Sequence, residues 1–408
     1  MKKIILILLT IIISLSCNKD DKESIKDISI KDIPSPSDLG AEPNLFRSAD
    51  GQIFLSWVQT KNDTTDQLYF SQLVSDKWAS PKLIAEGNDW FVNWADFPSI
   101  AVSNNKENIA AHWLQKRAEG TYDYDVRIAQ SKDLGQKWSP SFIPHTDNIA
   151  AEHGFVTMLP LGNGRTFATW LDGRNTKTED AHAHSGAMTL RTAEFDAEGK
   201  LFEEAELDTR VCDCCQTDAA ISSEGLLVVY RDRSETEIRD ISIVRKVNGK
   251  WTDPKPIFKD DWQINGCPVN GPAIAAEGSS VAVAWFSMKE DRGNVKLAFS
   301  KDAGARFAEP IQLDEGDPLG RVDVVFTKQG DALVTWIEQQ EESGMIKLAQ
   351  VNQEGNIIEK INVGEIDDSR RSGFPILEKG KDQYVMVWTQ VDSLLSLKTV
   401  SFDLSMTQ

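Results

Sequence analysis

The stretch FLSWVQ at residues 54–59 returns six more times along the chain. The copies are AAHWLQ (110–115), FATWLD (167–172), LVVYRD (227–232), AVAWFS (282–287), LVTWIE (333–338) and VMVWTQ (385–390). Each is a short β-rich run that ends in an aromatic followed by a polar loop. The aromatics are Trp57, Trp113, Trp170, Tyr230, Trp285, Trp336 and Trp388, at steps of 56, 57, 60, 55, 51 and 52 residues. An apolar run precedes many copies, as in FPSIAV (97–102), GFVTML (154–159), TDAAIS (217–222) and GPAIAA (271–276). Another follows, as in YDVRIAQS (124–131), AMTLRTAEF (187–195), ISIVRKV (241–247), VKLAFS (295–300) and IKLAQV (346–351). A fourth comes in PKLIA (81–85), KPIF (255–258) and PIQL (310–313). Four short strands per repeat at this period are the signature of a β-propeller blade. The expectation is an all-β propeller of four-stranded blades over residues 39–408, with seven blades by repeat count and six as the alternative.

Two repeats carry S-x-D-x-G-x-x-aromatic: SKDLGQKW (131–138) and SKDAGARF (300–307). Asp133 and Asp302 can bond turn amides, Gly135 and Gly304 supply permissive backbone, and Trp138 and Phe307 can tuck between blades. Ser131 and Ser300 open the two turns. The motif resembles the Asp-box, or BNR repeat, of the sialidase superfamily, and that resemblance covers most of the chain. It implies a sialidase-like propeller and, for an enzyme, a glycoside hydrolase of sialidase type. The early Arg-Ile-Pro signature of sialidases is absent, so their arginine triad is not carried over to any position here.

The 408 residues hold 63 acidic and 44 basic side chains, a net charge of −19. Such a balance excludes the basic footprint of a nucleic-acid binder and disfavours direct adsorption to anionic lipid. Met1-Lys2-Lys3 precedes the apolar run IILILLTIII (4–13), too short to span a bilayer as a helix and suited to a signal sequence. SLSC (14–17) resembles a bacterial lipoprotein signal, which implies a leader over 1–16 and a lipid on Cys17. NKDDK (18–22) resembles the export signal of surface lipoproteins of the Bacteroidetes type. Residues 17–38 read as a lipidated tether whose ISIKDI (28–33) alternates like a strand. The expected location is the outer membrane or cell surface, with periplasmic exposure as the alternative. The membrane is reached through the lipid alone, and the chain is expected to be a monomer.

A blade runs up and down, so its outer-to-inner and second-to-third loops share one face, here called the top. All four cysteines beyond Cys17 fall there, and so do His145, His153, His182 and His184. A functional face on top is the economical reading. Cys212, Cys214 and Cys215 lie within four residues, and Cys267 lies one blade on. Outside the cytosol this suggests disulfides. The alternatives are free thiols or a thiolate metal site with His153, His182 or His184 as further ligands. Arg174, Arg231, Arg233, Arg239 and Arg321, with Asp323, His153 and Trp94, are candidates to grip an anionic ligand, or else to lock neighbouring blades through Arg–Asp pairs. Glu152, Asp172 and Asp232 are the candidate catalytic carboxylates. Trp90, Trp94, Tyr122 and Tyr124 can stack on sugar rings or fill loop cores.

Three functions follow. The first is a cell-envelope lipoprotein whose top face binds, and as an extension hydrolyses, an anionic glycan. The second is a non-catalytic propeller for a protein or cell-wall partner. The third is a metal or redox site built on the cysteines and histidines. The cofactor is open, with the cysteine cluster as the place for a metal.

Overall fold

A computed structural model of the chain describes residues 28–104, 108–177 and 186–404. Seven antiparallel sheets follow one another around an axis, so the repeat count of seven holds and the six-bladed alternative falls. The sixth blade shows the pattern plainly: Pro318–Phe326, Ala332–Gln339, Gly344–Val351 and Ile357–Ile366 pair in chain order. Its second strand, ALVTWIEQ, is buried along nearly its whole length because neighbouring blades cover both faces. Its outer strand, IIEKINVGEI, is mostly half-buried or exposed. This gradient is why the second strand of each repeat carried the strongest sequence signal.

All seven repeat aromatics are buried. Four of their polar ends donate to an acid, two of them to the acid two residues on. Trp170 Nε1 donates to Asp172 at 2.8 Å, Trp285 Nε1 to Asp260 at 2.7 Å, and Trp336 Nε1 to Glu338 at 3.0 Å. Tyr230 donates to Asp208 at 2.6 Å.

The ring closes with a strand from the start of the described chain. Ser29–Ile33 pairs antiparallel with Leu395–Asp403, and Ile33 sits opposite Thr399. Residues 29–33 are therefore part of the propeller rather than only a tether, and they cover an edge that would otherwise be open. The second blade is the weak one. Its outer strand is reduced to an isolated bridge between Ile128 and Phe142.

On the bottom face the two S-x-D-x-G turns have the same geometry. Ser131 Oγ donates to Asp133 Oδ1 at 2.8 Å and accepts from the Gly135 amide at 2.8 Å. Ser300 repeats both bonds, at 2.9 Å to Asp302 and 3.0 Å from Gly304. Leu134 and Gly135 both take positive φ, 58° and 74°, and a Cβ on Gly135 would meet the Phe70 ring at 2.3 Å. Trp138 packs edge-on against Phe70 of the preceding blade, and Phe307 packs into the core between the fourth and fifth blades.

The inner strands line an axial channel of about 430 Å³. Half-buried carboxyls on the channel wall tie these strands together across blades. Asp218 accepts from the Ile274 amide at 2.8 Å, and Asp323 from the Leu377 amide at 2.7 Å.

Candidate active site and thiol cluster on the top face

Near the channel's top rim, the loops entering the second and third blades bring three acidic groups together. Asp96 ends the loop before Ser99–Val102, and its Oδ1 accepts from the Phe155 amide at 2.6 Å. Glu152 immediately precedes the inner strand His153–Pro160. Between them stands Tyr124, the first residue of Tyr124–Ser131, whose hydroxyl lies 3.0 Å from Glu152 Oε1 and 3.3 Å from Asp96 Oδ2. Tyr124 is 0% exposed and stacks on Phe91 at 4.3 Å. Burial pushes the Glu152 carboxyl up to about 8 against the lowering effect of the Tyr124 bond, with Asp96, Asp213 and Cys267 adding negative field. Burial likewise raises Asp96 to about 7. Both groups therefore hold protons near neutrality, which is what proton donation to a leaving group requires. Tyr122, 56% exposed, sets its ring edge over Phe91 beside this group.

A second buried network lies beside it. His145 and His153 stack with centroids 3.7 Å apart. Asp147 accepts from both rings, at 2.8 Å from His145 Nδ1 and 3.2 Å from His153 Nε2. His153 Nδ1 faces the carbonyls of Tyr124 and Ala151, so it carries a proton, and Nε2 also lies 3.7 Å from Asp172. Burial disfavours the charged ring, but Asp147 and Asp172 outweigh it and raise His153. Asp172 is fully buried and clasped by Arg174, at 2.7 Å from both Nε and Nη2. Burial pushes its carboxyl up, yet Arg174 and His153 hold it below the usual range. Asp172 is thus an ionised anchor. Asp232, raised by burial to about 6, accepts from its neighbour's amide and from Ser242. It caps its own loop, in another blade from Glu152.

The arginines are largely committed inside the protein. Arg231 donates to the carbonyls of Asn270, Arg239 and Phe286. Arg321 donates to Ser369 O, Ser372 Oγ, Gly373 O and Asp368 O, with its guanidinium over the Trp94 ring. Arg239 bonds Cys212 and Glu237, while Arg233 bonds Glu237 and Asp213. Asp323 lies in the channel, not on the rim. Trp94 is half-buried against Phe374, and Trp90 is buried against Trp113. His182 and His184 lie outside the described residues, as does Cys17.

Two top-face cations escaped the sequence reading. Arg370 and Arg371 are exposed in the loop DDSRRSGF (367–374), and Arg370 reaches over Trp94 at 5.9 Å. Neither forms an ion pair among the described residues. A doublet of arginines in an outer-to-inner loop was the available signal.

The disulfide expectation is corrected. All four described cysteines are free thiols. Cys212 Sγ lies 3.4 Å from Cys215 Sγ and 3.9 Å from Cys214 Sγ. A disulfide needs about 2.05 Å.

No protein-family model and no curated protein matches the chain. Among solved structures it is similar to the polysaccharide lyase Uly1, at 10% identity over 91% of each chain with a TM-score of 0.54. It is also similar to a protein of unknown function from Dyadobacter fermentans, at 12% identity over 92% of this chain and 99% of that one, with a TM-score of 0.52. The NanB sialidase of Streptococcus pneumoniae is found at 12% identity over 90% of this chain and 69% of that one, with a TM-score of 0.45. At these identities the likeness is one of fold.

Proposed function

We propose that the propeller binds an acidic glycan on its top face and hydrolyses a glycosidic bond there, with Glu152 as the proton donor. The observation that carries this reading is the Tyr124 hydroxyl held between Glu152 and Asp96. Glu152 is the member of the trio that reaches solvent, and its carboxyl is protonated at neutral pH. Tyr124 is the positioning residue behind it. The exposed Tyr122 ring offers a stacking surface for a sugar, and Arg370 and Arg371 offer charge for its acidic group. The fold shared with a polysaccharide lyase and the Asp-box-like turns support a carbohydrate ligand.

The test uses sialylated, sulfated and uronate-bearing oligosaccharides, with binding followed calorimetrically and cleavage followed by new reducing ends. Glu152→Gln should keep binding and lower turnover by about 10²–10⁴-fold. A second reading, non-catalytic binding, draws on the burial of Tyr124 and Asp96, which leaves one reachable carboxyl of the two. Binding without new reducing ends from any of these glycans would select it. No binding to any of them would remove both.

The same proposal places the protein on the cell envelope, held by a lipid on Cys17 after removal of residues 1–16. Among the described residues no helix is long and apolar enough to cross a membrane. Cys17→Ala should move the protein from the membrane fraction to the soluble one. Retention in the membrane fraction would refute the anchor.

A further inference from the structure

The outer strand of the third blade, Leu201–Val211, runs straight into Cys212-Asp213-Cys214-Cys215 before the inner strand Asp218–Ser222 begins. This short loop is pinned on both sides. Cys212 donates its amide to the Arg231 carbonyl at 3.0 Å, and Val211 bridges to Asp232. Gln216 reaches across to the Ala95 carbonyl and accepts from the Gly271 amide at 3.0 Å. The second contact ties the loop to the segment that carries Cys267.

Within this frame the side chains sort by direction. Asp213 turns outward, and both its oxygens lie 3.0 Å from Arg233 Nη1. Cys212, Cys214 and Cys215 turn toward one another, their sulfurs all within 4.8 Å. Cys267, on the next blade's loop, lies outside this three-sulfur group. Cys212 and Cys215 are buried, Cys214 is half-buried and Cys267 is exposed, so the group is open to solvent on one side. Arg239 Nη1 lies 3.1 Å from Cys212 Sγ. A buried guanidinium against sulfur favours the thiolate form.

Thiols gathered without a disulfide need another reason to be together. A tetrahedral ion with bonds of about 2.3 Å to sulfur sets its ligands about 3.8 Å apart. The sulfur–sulfur separations of 3.4 and 3.9 Å fall on either side of that value. Among the described residues no imidazole or carboxylate shares the group, so the donor set is soft and selects a soft ion. We propose that Cys212, Cys214, Cys215 and Cys267 bind one thiophilic d¹⁰ cation, Zn²⁺ or Cu⁺, with Arg239 as the outer partner that balances the thiolate charge. The three clustered cysteines form the fixed face, and Cys267 is the fourth ligand, supplied by the neighbouring blade. The site stands independently of the glycan reading.

The test takes the purified full chain, reduced under argon and stripped with chelator. It is titrated separately with Zn²⁺, with Co²⁺ as a spectroscopic stand-in, and with Cu⁺ against a chromophoric chelator. One ion should bind per chain, with sulfur-to-cobalt charge transfer and tetrahedral d–d bands. All four described thiols should become unreactive to Ellman's reagent on loading. Cys214→Ser should remove the charge-transfer band, and Arg239→Gln should weaken binding about 10–100-fold. Cys267→Ser should weaken uptake of both ions, and a Cys267→Ser chain that keeps either ion at wild-type affinity would overturn the four-thiolate site. Wild-type chain that takes up neither ion overturns the proposal. So does a Cys214→Ser chain that melts like the wild type and still binds one ion with the same spectrum. A chain in which two of these cysteines form a disulfide that excludes the ion after mild reduction overturns it as well.

Discussion

The Tyr124 hydroxyl lies 3.0 Å from Oε1 of Glu152, and each group depends on the other. Negative charge on Glu152 and Asp96 adds to burial in pushing the Tyr124 phenol well above its ordinary range. In return the phenol donates to the ionised Glu152 and restrains how far burial can raise it. Asp96 closes the trio and is held in turn by the Phe155 amide, the second residue of the next inner strand after His153. Backbone geometry, not loop chance, therefore fixes the distance between the two proton-bearing carboxyls.

This pairing gives a pH prediction. If protonated Glu152 drives turnover, the rate should fall as pH rises through about 8. Tyr124→Phe removes a bond that favours the charged carboxylate, so Glu152 should titrate at higher pH and the falling limb should move upward. A pH–rate profile checks the direction. A limb that moves downward or stays in place would detach Tyr124 from the acid.

The closing strand gives the second prediction. Ile33 is buried, and it packs in the core that joins the seventh blade to the first, among Leu45, Trp57 and Val385. Ile33→Ala should cost about 2–5 kcal/mol in denaturant unfolding. Deleting residues 18–33 should lower the melting temperature and raise the tendency to associate, because the Leu395–Asp403 edge is then bare. Unchanged melting after the deletion would show that the pairing contributes nothing.

What the sequence made legible follows from where each residue sits in a blade. Second strands covered on both faces gave near-continuous apolar runs, so seven copies around Trp57 to Trp388 were visible. ISIKDI was visible because it alternates. The outer strand of the second blade was faint, since Phe142 makes only a bridge. At the top face, position was legible and commitment was not. Arg231 ends a strand, Arg321 lies within Pro318–Phe326 and Arg239 stands in a loop, all toward the top face, but all three are buried and their guanidinium groups are taken up by carbonyls, Ser372 Oγ, Cys212 and Glu237. Those acceptors are supplied from up to 55 residues away, as Phe286 is for Arg231. Nothing in local spacing announces them. The Tyr124–Glu152–Asp96 trio was hidden for the same reason, because it joins three loops.

The contrast between two arginines near Trp94 is the third prediction. Arg321 is buried and makes charged hydrogen bonds to three carbonyls and a hydroxyl, whereas Arg370 is exposed. Arg321→Ala should destabilise the fold by at least about 1.5–3 kcal/mol. Arg370→Ala should change stability by no more than about 0.5 kcal/mol. If an acidic glycan binds on top, Arg370→Ala should weaken it and added salt should weaken it further. Arg306→Ala, beside the second bottom turn, should leave binding alone. Binding that survives Arg370→Ala but fails on Arg306→Ala would place the ligand on the other face.

The turns on the bottom face give the fourth prediction. Gly135 combines a φ of 74° with a Cβ position 2.3 Å from the Phe70 ring. Gly135→Ala should therefore cost about 1–3 kcal/mol through strain and overpacking. Gly164 has a similar φ, 82°, but open space around it. Gly164→Ala should show the conformational cost alone and be milder. Equal losses at the two sites, measured by urea unfolding, would mean that the contact with Phe70 is not what matters.

The last prediction concerns the channel. Asp218 is half-buried on the channel wall, and loss of water contact there raises its carboxyl from the ordinary 3.8 to about 7, against the bonds from the Ile274 and Ala219 amides. Its charge in turn helps raise Asp323 and Glu378, which line the same channel. The sign follows from proton counting. Between about pH 4 and 7 the folded chain keeps a proton on Asp218 that the unfolded chain has released, so stability falls as pH rises through that window. The loss attributable to Asp218 is on the order of 2–4 kcal/mol. Asp218→Asn removes the titrating group and relieves Asp323 and Glu378, at the cost of one acceptor for two amides. The variant should be less stable than the wild type at pH 4 and should close that gap by pH 8. Urea unfolding at both pH values measures the two differences. A gap that widens with pH would mean that Asp218 is ionised in the folded protein and that its charge holds the inner strands together.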